Sequence, residues 1–564
     1  MRTDRNIPFR SSGAFPGSIA NYGQYRWSGL LVGTVLGMSA LLLSGCSDDD
    51  DDNETPPAVD ETPPPVSTLD CNADSLQMVV SDATIDSATL KNTEQGQSYC
   101  RVDGHIITEG VTLEGEGRDG EPNQVNFMLS LPTDFSNRYY FVGLGGSAGY
   151  VPEPPEGLLA QGYAIAGTDA GSPTPGIDWT FAWDRTKALD YANRGVHLTT
   201  LVTQDLTAAF YGNADENERI YNYLQGCSGG GRMGQVETML YPNDYDGIVA
   251  GAPGLDTNNQ LFFGKVVKRI IDNPDAWVSP QELQTVEDMV VTQYDAADGV
   301  EDGLIWDHTR VETDLDTLGI FTPAQLETLR LIIEGMDDFG QSYPGFSVAN
   351  PIGWSAFLLG ATPPPWSLDP ADENLPPAAY YIFDSQTRAL FGPDYDFTES
   401  FDFGSSEDVN AWHNTFEEVY PGSGTAHPED MQDFKAAGGK ILYWHGEADN
   451  GISINGMTRF YDELAGQNGG HEGTRDFARL FLAPGVQHCG GGIGPQDVPD
   501  QALSALVQWV EEEQPPRQLV THSAPSAMPE RSFLLCPYPQ TAVFNEEGDL
   551  NDAANWSCEL KPLP

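Results

Sequence analysis

Positive charge is what this chain has least of: 27 Lys and Arg stand against 84 Asp and Glu in 564 residues, a formal net charge of −57. That balance excludes a general affinity for nucleic acid or for anionic membrane surfaces, because both are polyanions. Long apolar runs are scarce as well. The run nearest the N-terminus, Leu30 to Leu43, is short and broken by Gly33 and Gly37, which argues against a membrane-spanning helix and leaves an uncleaved anchor as the lesser reading. Histidine is sparse at nine and cysteine at seven, so each one that stands beside a reactive residue carries information.

What the apolar run does resemble is an export signal. Arg2, Arg5, Arg10 and Arg26 precede it, and it closes on Leu43-Ser44-Gly45-Cys46, the pattern of a bacterial lipoprotein signal with Cys46 as the lipidated residue. Residues 1–46 are therefore expected to be a signal segment. Residues 47–70, Asp-rich and then Pro-rich, form a tether unable to bury enough apolar surface to order itself. The expected location is outside the cytoplasm, on a lipid anchor at the outer membrane or secreted. With 39% hydrophobic residues, the remainder has ample material for a large core.

From Cys71, short apolar runs bounded by turn residues (Arg101 to Thr108, Val125 to Leu131, Tyr139 to Gly143, Tyr163 to Thr168) alternate with helical patterns such as Val196 to Tyr211. This rhythm predicts an α/β sheet. It resumes at Gly247 to Ala252, breaks, and returns at Lys440 to Trp444 and Arg479 to Leu482. The break predicts an α/β core in two parts, 71–254 and 439–564, around an inserted lid at 255–438, a length sufficient for a domain of its own. Within the lid, Gln281 to Val291 and Pro323 to Glu334 read as helices, and the segment from Trp354 to Phe403 is rich in aromatics.

The chemistry centres on Gly226-Cys227-Ser228-Gly229-Gly230, between a strand-like run (Arg219 to Leu224) and a helix-like one (Arg232 to Tyr241). That is the setting of a G-x-S-x-G nucleophile elbow with Ser228 as nucleophile. The motif alone also fits a glycine-rich helix entry. A serine nucleophile needs a base, and the base needs a carboxylate. Both are expected on loops after later strands, in the order acid then histidine. Asp449 follows Lys440 to Trp444, and His488 follows Arg479 to Leu482, with His445 and Glu447 as nearest rivals. The oxyanion donors expected are the backbone N–H of Gly229 and that of Gly145 or Gly146, in the glycine-rich loop after Tyr140 to Gly143.

Setting Cys46 aside, six cysteines remain, and in an exported chain an even number argues for disulfides. Fifteen pairings are open. Spacing favours Cys71 with Cys100 and Cys536 with Cys558, which leaves Cys227 for Cys489. Such a bond would hold Ser228 and His488 side by side. A second candidate site lies in the lid, where carboxylates of Asp295, Asp298 and Asp302 with carbonyls of Val300 and Leu304 are spaced to wrap one hard cation, calcium fitting best.

Taken together, Phe210-Tyr211-Gly212, the Cys227-Ser228 elbow with Gly231-Arg232, Tyr241-Pro242, Tyr245 to Pro253, the lid aspartates, Gly446-Glu447-Ala448-Asp449 and His488-Cys489-Gly490-Gly491-Gly492 resemble the tannase and feruloyl esterase family from about Cys71 to Cys558. The resemblance implies an α/β-hydrolase core with a large lid, a Ser228, His488, Asp449 triad, the Cys227 to Cys489 bond and a structural calcium. It further implies a serine carboxylic ester hydrolase acting on a small aromatic-acid ester of feruloyl, galloyl or terephthalate monoester type. A free carboxylate on such a substrate calls for a cation, and the lid offers Arg388, with Arg310 and Lys268 behind it. Two departures stand out. Tyr294 occupies a place where relatives usually carry a bonded cysteine, and Gly229 one where glutamate or threonine is frequent. The competing classes are a non-catalytic surface binding or adhesion protein on the same fold, and an acyltransferase or peptidase using the same triad.

Overall fold

A run such as Tyr163–Thr168, every residue of which is buried, can satisfy its backbone only by pairing on both sides. Seven strands form before the lid: β1 (Thr84–Asn92), β2 (Ser98–Thr108), β3 (Asn123–Pro132), β4 (Arg138–Gly143), β5 (Tyr163–Thr168), β6 (Tyr221–Cys227) and β7 (Gly247–Gly251). A lid hairpin supplies β8 (Gly335–Asp338) and β9 (Gln341–Pro344), and the core resumes with β10 (Lys440–Gly446) and β11 (Ala478–Ala483). The computed structural model describes residues 69–111, 120–212, 219–298, 300–311 and 313–560, without the side chains of Ala297, Asp298 and Arg310. The expected signal segment, Cys46 and nearly all of the tether lie outside the described residues.

Nine strands make one sheet in the order β1-β2-β3-β5-β4-β6-β7-β10-β11. The first four neighbours pair antiparallel, and from β5 to β11 all pairs are parallel, giving an α/β-hydrolase sheet. β1 was not expected from the sequence. It is an edge strand with most side chains exposed, so it has no buried face to announce it. The chain passes from β4 to β5 on one side and then to β6 on the other, and loops after β4 and β6 meet at this switch of direction, where α/β sheets place their ligands.

β7 and β10 are direct neighbours, with Ala250 opposite Tyr443, so residues 252–439 leave and re-enter the sheet between adjacent strands. That excursion holds the helices Asn258–Asp272, Pro280–Tyr294, Pro323–Glu334, Ala378–Phe391 and Ser406–Val419. Two of them start where the sequence signals a capping box, Ser279 with Glu282 and Thr322 with Gln325. Phe383 packs edge-on against Phe397 and Phe401 and tilted against Trp412, which explains the aromatic-rich segment as lid core. After β11 the helix Val498–Glu512 packs on the sheet, and two hairpins follow: β12 (Leu519–His522) with β13 (Ser532–Leu535), and β14 (Gln540–Phe544) with β15 (Trp556–Leu560). Among the described residues no helix is long and apolar enough to cross a membrane.

Candidate active site

β6 ends at Cys227 and the helix Gly229–Leu240 begins two residues later, leaving Ser228 alone at the turn with φ 59° and ψ −119°. A non-glycine residue pays about 1–3 kcal/mol for such a conformation, which persists only when its surroundings over-determine it. Here the surroundings are backbone. A β-carbon at Gly226 would lie 2.5 Å from the Gly230 carbonyl carbon, and one at Gly230 would lie 2.4 Å from the Gly143 oxygen. The helix therefore starts at Gly229 rather than at Arg232, where intrinsic propensity places it, because close approach of strand and helix outweighs the poor helix propensity of glycine.

His488 reaches this serine. Its Nε2 is 2.9 Å from Ser228 Oγ, and its Nδ1 is 2.9 Å from Asp449 Oδ2 and 3.1 Å from Oδ1. With Nδ1–H donated to the carboxylate, Nε2 is the free base facing the hydroxyl. The Gly451 and Ile452 N–H groups each donate to Asp449 Oδ1 at 2.8 Å. Burial alone would raise the Asp449 carboxyl, but His488 and His445 outweigh it and hold it well below the usual carboxylate range. His445, fully buried, donates Nε2–H toward the Ile452 carbonyl at 3.0 Å and lies 3.2 Å from Asp449 Oδ2. Glu447 accepts the backbone N–H of His308 at 2.8 Å and thereby ties lid to core. Neither rival bonds to Ser228. Cys227 and Cys489 are bonded with Cα atoms 5.9 Å apart, and Cys71–Cys100 and Cys536–Cys558 are bonded likewise.

The loop after β4 faces the elbow. A β-carbon on Gly229 would lie 2.7 Å from the Gly146 oxygen and 2.9 Å from its nitrogen, so the glycine that follows Ser228 is what lets the two loops touch. Among the described residues no protein acceptor takes the N–H of Gly229, Gly145 or Gly146. A carbonyl oxygen beside Ser228 would find those donors unspent.

A family profile described as tannase and feruloyl esterase matches residues 109–559. The chain belongs to the tannase and feruloyl esterase family. A probable feruloyl esterase of Arthroderma benhamiae is 28% identical over 466 residues, spanning 80% of this chain and 85% of its own. A mono(2-hydroxyethyl) terephthalate hydrolase of Piscinibacter sakaiensis is 25% identical over 541 residues, spanning 81% and 85%. The solved structure of feruloyl esterase B from Aspergillus oryzae superposes with a TM-score of 0.72 at 23% identity, covering 87% of this chain and 99% of that one. The protein is a carboxylic ester hydrolase whose substrate is a small ester.

Other side chains beside Ser228 and His488 left no local signal in the sequence. Phe357, from the lid, stands edge-on to His488 with ring centroids 6.3 Å apart. Its segment is seated on the loops that carry Asp449 and His488, through Gln487 Nε2 to Asn350 Oδ1 at 3.0 Å and Asn450 Nδ2 to the Gly353 carbonyl at 3.0 Å. Arg388, the sequence candidate for a substrate carboxylate, donates instead to Asp384 at 2.8 Å and to the Pro393 carbonyl at 2.9 Å. Lys268 is held by Asp272; the Arg310 side chain lies outside the described residues.

In the lid loop, Asp295 Oδ1 accepts the N–H groups of Asp302 and Gly303 at 2.9 and 2.8 Å, curling the chain so that both carboxylates share one loop. Val300 and Leu304 are buried there, and the donors are hard oxygens of the kind calcium takes. The Asp298 side chain and Gly299 lie outside the described residues. Sequence reasoning missed Arg531, whose Nη2 is 2.5 Å from Asp302 Oδ2, and Trp306, whose Nε1 donates to the same oxygen at 3.1 Å. Away from the site, His197, Glu237 and Asp244 cluster between helices. Burial and the neighbouring Asp244 push the Glu237 carboxyl well up.

Proposed function

We propose that this esterase works through an acyl-enzyme on Ser228, with His488 as general base and acid and Asp449 as the carboxylate that orients it. The observation that carries the reading is the continuous line from Ser228 Oγ through His488 to Asp449, at 2.9 Å on either side of the imidazole. His488 Nε2 takes the serine proton as Oγ attacks the ester carbonyl. The oxyanion is held by the N–H of Gly229 and that of Gly145 or Gly146, and His488 then gives the proton to the leaving alcohol. Water repeats the sequence on the acyl-enzyme and releases the acid.

The acyl group proposed is aromatic. Supporting it are the edge-on Phe357 at His488 and the feruloyl and terephthalate esters in the relatives' names. Hydrolysis rates for methyl ferulate, methyl gallate and a terephthalate monoester test this directly. Turnover of at least one, above that of aliphatic esters of equal size, is expected; silence on all three refutes the substrate class. Calcium is proposed as a structural ion on Asp295, Asp298 and Asp302 with the Val300 and Leu304 carbonyls, bracing the lid without entering the chemistry. Chelation should then lower the melting temperature of the wild type but not of Asp295→Asn. Export, and a lipid anchor at Cys46, complete the proposal; three disulfides suit an oxidising compartment.

A further inference from the structure

We infer that Tyr191 is a positioning residue for the oxyanion hole, holding the Gly146 peptide so that the N–H of Gly146 faces the carbonyl that Ser228 attacks. The inference rests on the acyl-transfer reading above. Tyr191 is 5% exposed and sits in a single π-helical turn, Asp190–Arg194, set between the helices Arg185–Leu189 and Gly195–Tyr211. Such turns insert an extra residue that re-aims a side chain, and they concentrate at functional sites. This one is fixed from beneath by the buried Asp190. Its Oδ2 accepts from Thr108 Oγ1 at 2.7 Å and Asn123 Nδ2 at 2.9 Å, and its Oδ1 pairs with Arg194 Nε at 2.6 Å.

From there the Tyr191 hydroxyl donates to the Gly146 carbonyl at 2.9 Å. The opposite pole of the same peptide, the Ser147 N–H, donates to the Gly176 carbonyl at 2.8 Å. The peptide is gripped at both ends. Gly146 itself has φ +59°, and a β-carbon on it would lie 1.9 Å from the Gly176 oxygen, so no other residue fits this backbone. With the following peptide pinned and φ set, the direction of the Gly146 N–H is determined.

Arg232 ties this grip to the nucleophile. It lies in the first turn of the helix that Ser228 opens, with its guanidinium 4.6 Å over the Tyr191 ring. Its Nη1 and Nη2 donate to the Ala192 and Tyr191 carbonyls at 3.0 and 3.2 Å. Charge over the ring face and charge-assisted bonds to the same turn act together. Phe181 and Tyr420, both edge-on to Tyr191 at 5.6 and 6.2 Å, close the remaining sides. Nucleophile helix, π-turn and oxyanion loop are thus one braced unit.

Tyr191→Phe removes the hydroxyl and keeps the ring. The expected result is a kcat lower by about 10- to 100-fold with KM within twofold, less than the ~10²–10³ that loss of a whole oxyanion donor costs. Affinity for an aryl boronate, which forms a tetrahedral adduct on the serine, should fall by the same factor, while inhibition by the free aromatic acid stays unchanged. Arg232→Lys, which keeps the charge but loses the fork to two carbonyls, should give a smaller loss of the same signature and serves if the first variant does not fold. A Tyr191→Phe kcat within twofold of wild type overturns the inference. So does a loss of kcat with boronate affinity intact, which would mark a merely structural role. If Ser228→Ala retains hydrolysis, the acyl-transfer reading itself has failed and this inference goes with it.

Discussion

Replacing both Cys227 and Cys489 by serine separates what their bond does for the fold from what it does for the site. The bond spans 262 residues, whereas Cys71–Cys100 spans 29 and Cys536–Cys558 spans 22. In the chain-entropy description these closures stabilise by about 5.5 kcal/mol for the long loop and about 3.5 kcal/mol for each short one, upper figures because structure left in the unfolded chain reduces them. Stability alone therefore distinguishes the three bonds poorly. Catalysis distinguishes them well. Ser228 and His488 adjoin the bonded cysteines, and Ser228 and Cys489 both hold left-handed backbone at φ 59° and 62°. Releasing the bond frees the two turns whose alignment sets the 2.9 Å contact between His488 Nε2 and Ser228 Oγ. A displacement of about 1 Å at a reacting pair costs on the order of 10²-fold in rate. Steady-state hydrolysis well below each variant's melting temperature, paired with a thermal scan, is the assay. The double variant should lose about 10²-fold in kcat, while the two peripheral serine pairs melt lower yet keep kcat within twofold. Wild-type kcat in the folded Cys227→Ser, Cys489→Ser protein, or equal losses in all three pairs, would refute this reasoning.

Asp449→Asn removes the charge that His488 Nδ1–H and His445 both address. It should lower kcat by roughly 10³–10⁴ with KM little changed, as steady-state kinetics at constant pH would reveal. Glu237 gives a pH prediction. Its carboxyl is raised above the ordinary value of 4.5, chiefly by complete burial and further by the neighbouring Asp244 carboxylate. Because the folded state resists its ionisation, the unfolded chain gives up this proton first. The stability that this group contributes is therefore fully present below about pH 4.5 and is lost as pH rises toward the raised folded value, with a slope reaching about 1.4 kcal/mol per pH unit. Glu237→Gln does not titrate, so its melting temperature should exceed wild type at pH 7 and match it near pH 4; equal curves across that range would contradict the assignment.

The meeting of Ser228 with His488 was legible in the sequence. Ser228 and His488 each adjoin a cysteine, and the structure bonds those cysteines to one another. Buried strands such as β5 were legible too, since continuous apolar runs bounded by turn residues have few other fates. What escaped depends on contacts between distant segments. Tyr191 meets Gly146 across 45 residues, and Arg531 meets Asp302 across 229; nothing local at either end marks the meeting. In the sequence His445 reads as a rival base, and only the fold shows it lying against Asp449. The helix start at Gly229 went unread for a related reason: three successive glycines argue against a helix by propensity, yet here the backbones on either side leave room for nothing larger. Phe357 lies within the aromatic-rich segment Trp354 to Phe403, where nothing local sets it apart from the aromatics of the lid core.

The most direct test of the account is covalent. An aromatic organophosphate incubated with the intact protein should abolish ester hydrolysis in step with incorporation of one equivalent, and peptide mapping should place the adduct on Ser228. Ser228→Ala should take up none and hydrolyse nothing. Full labelling at another residue, or an unlabelled protein that continues to cleave esters, would contradict the line from Ser228 through His488 to Asp449 as the seat of the activity.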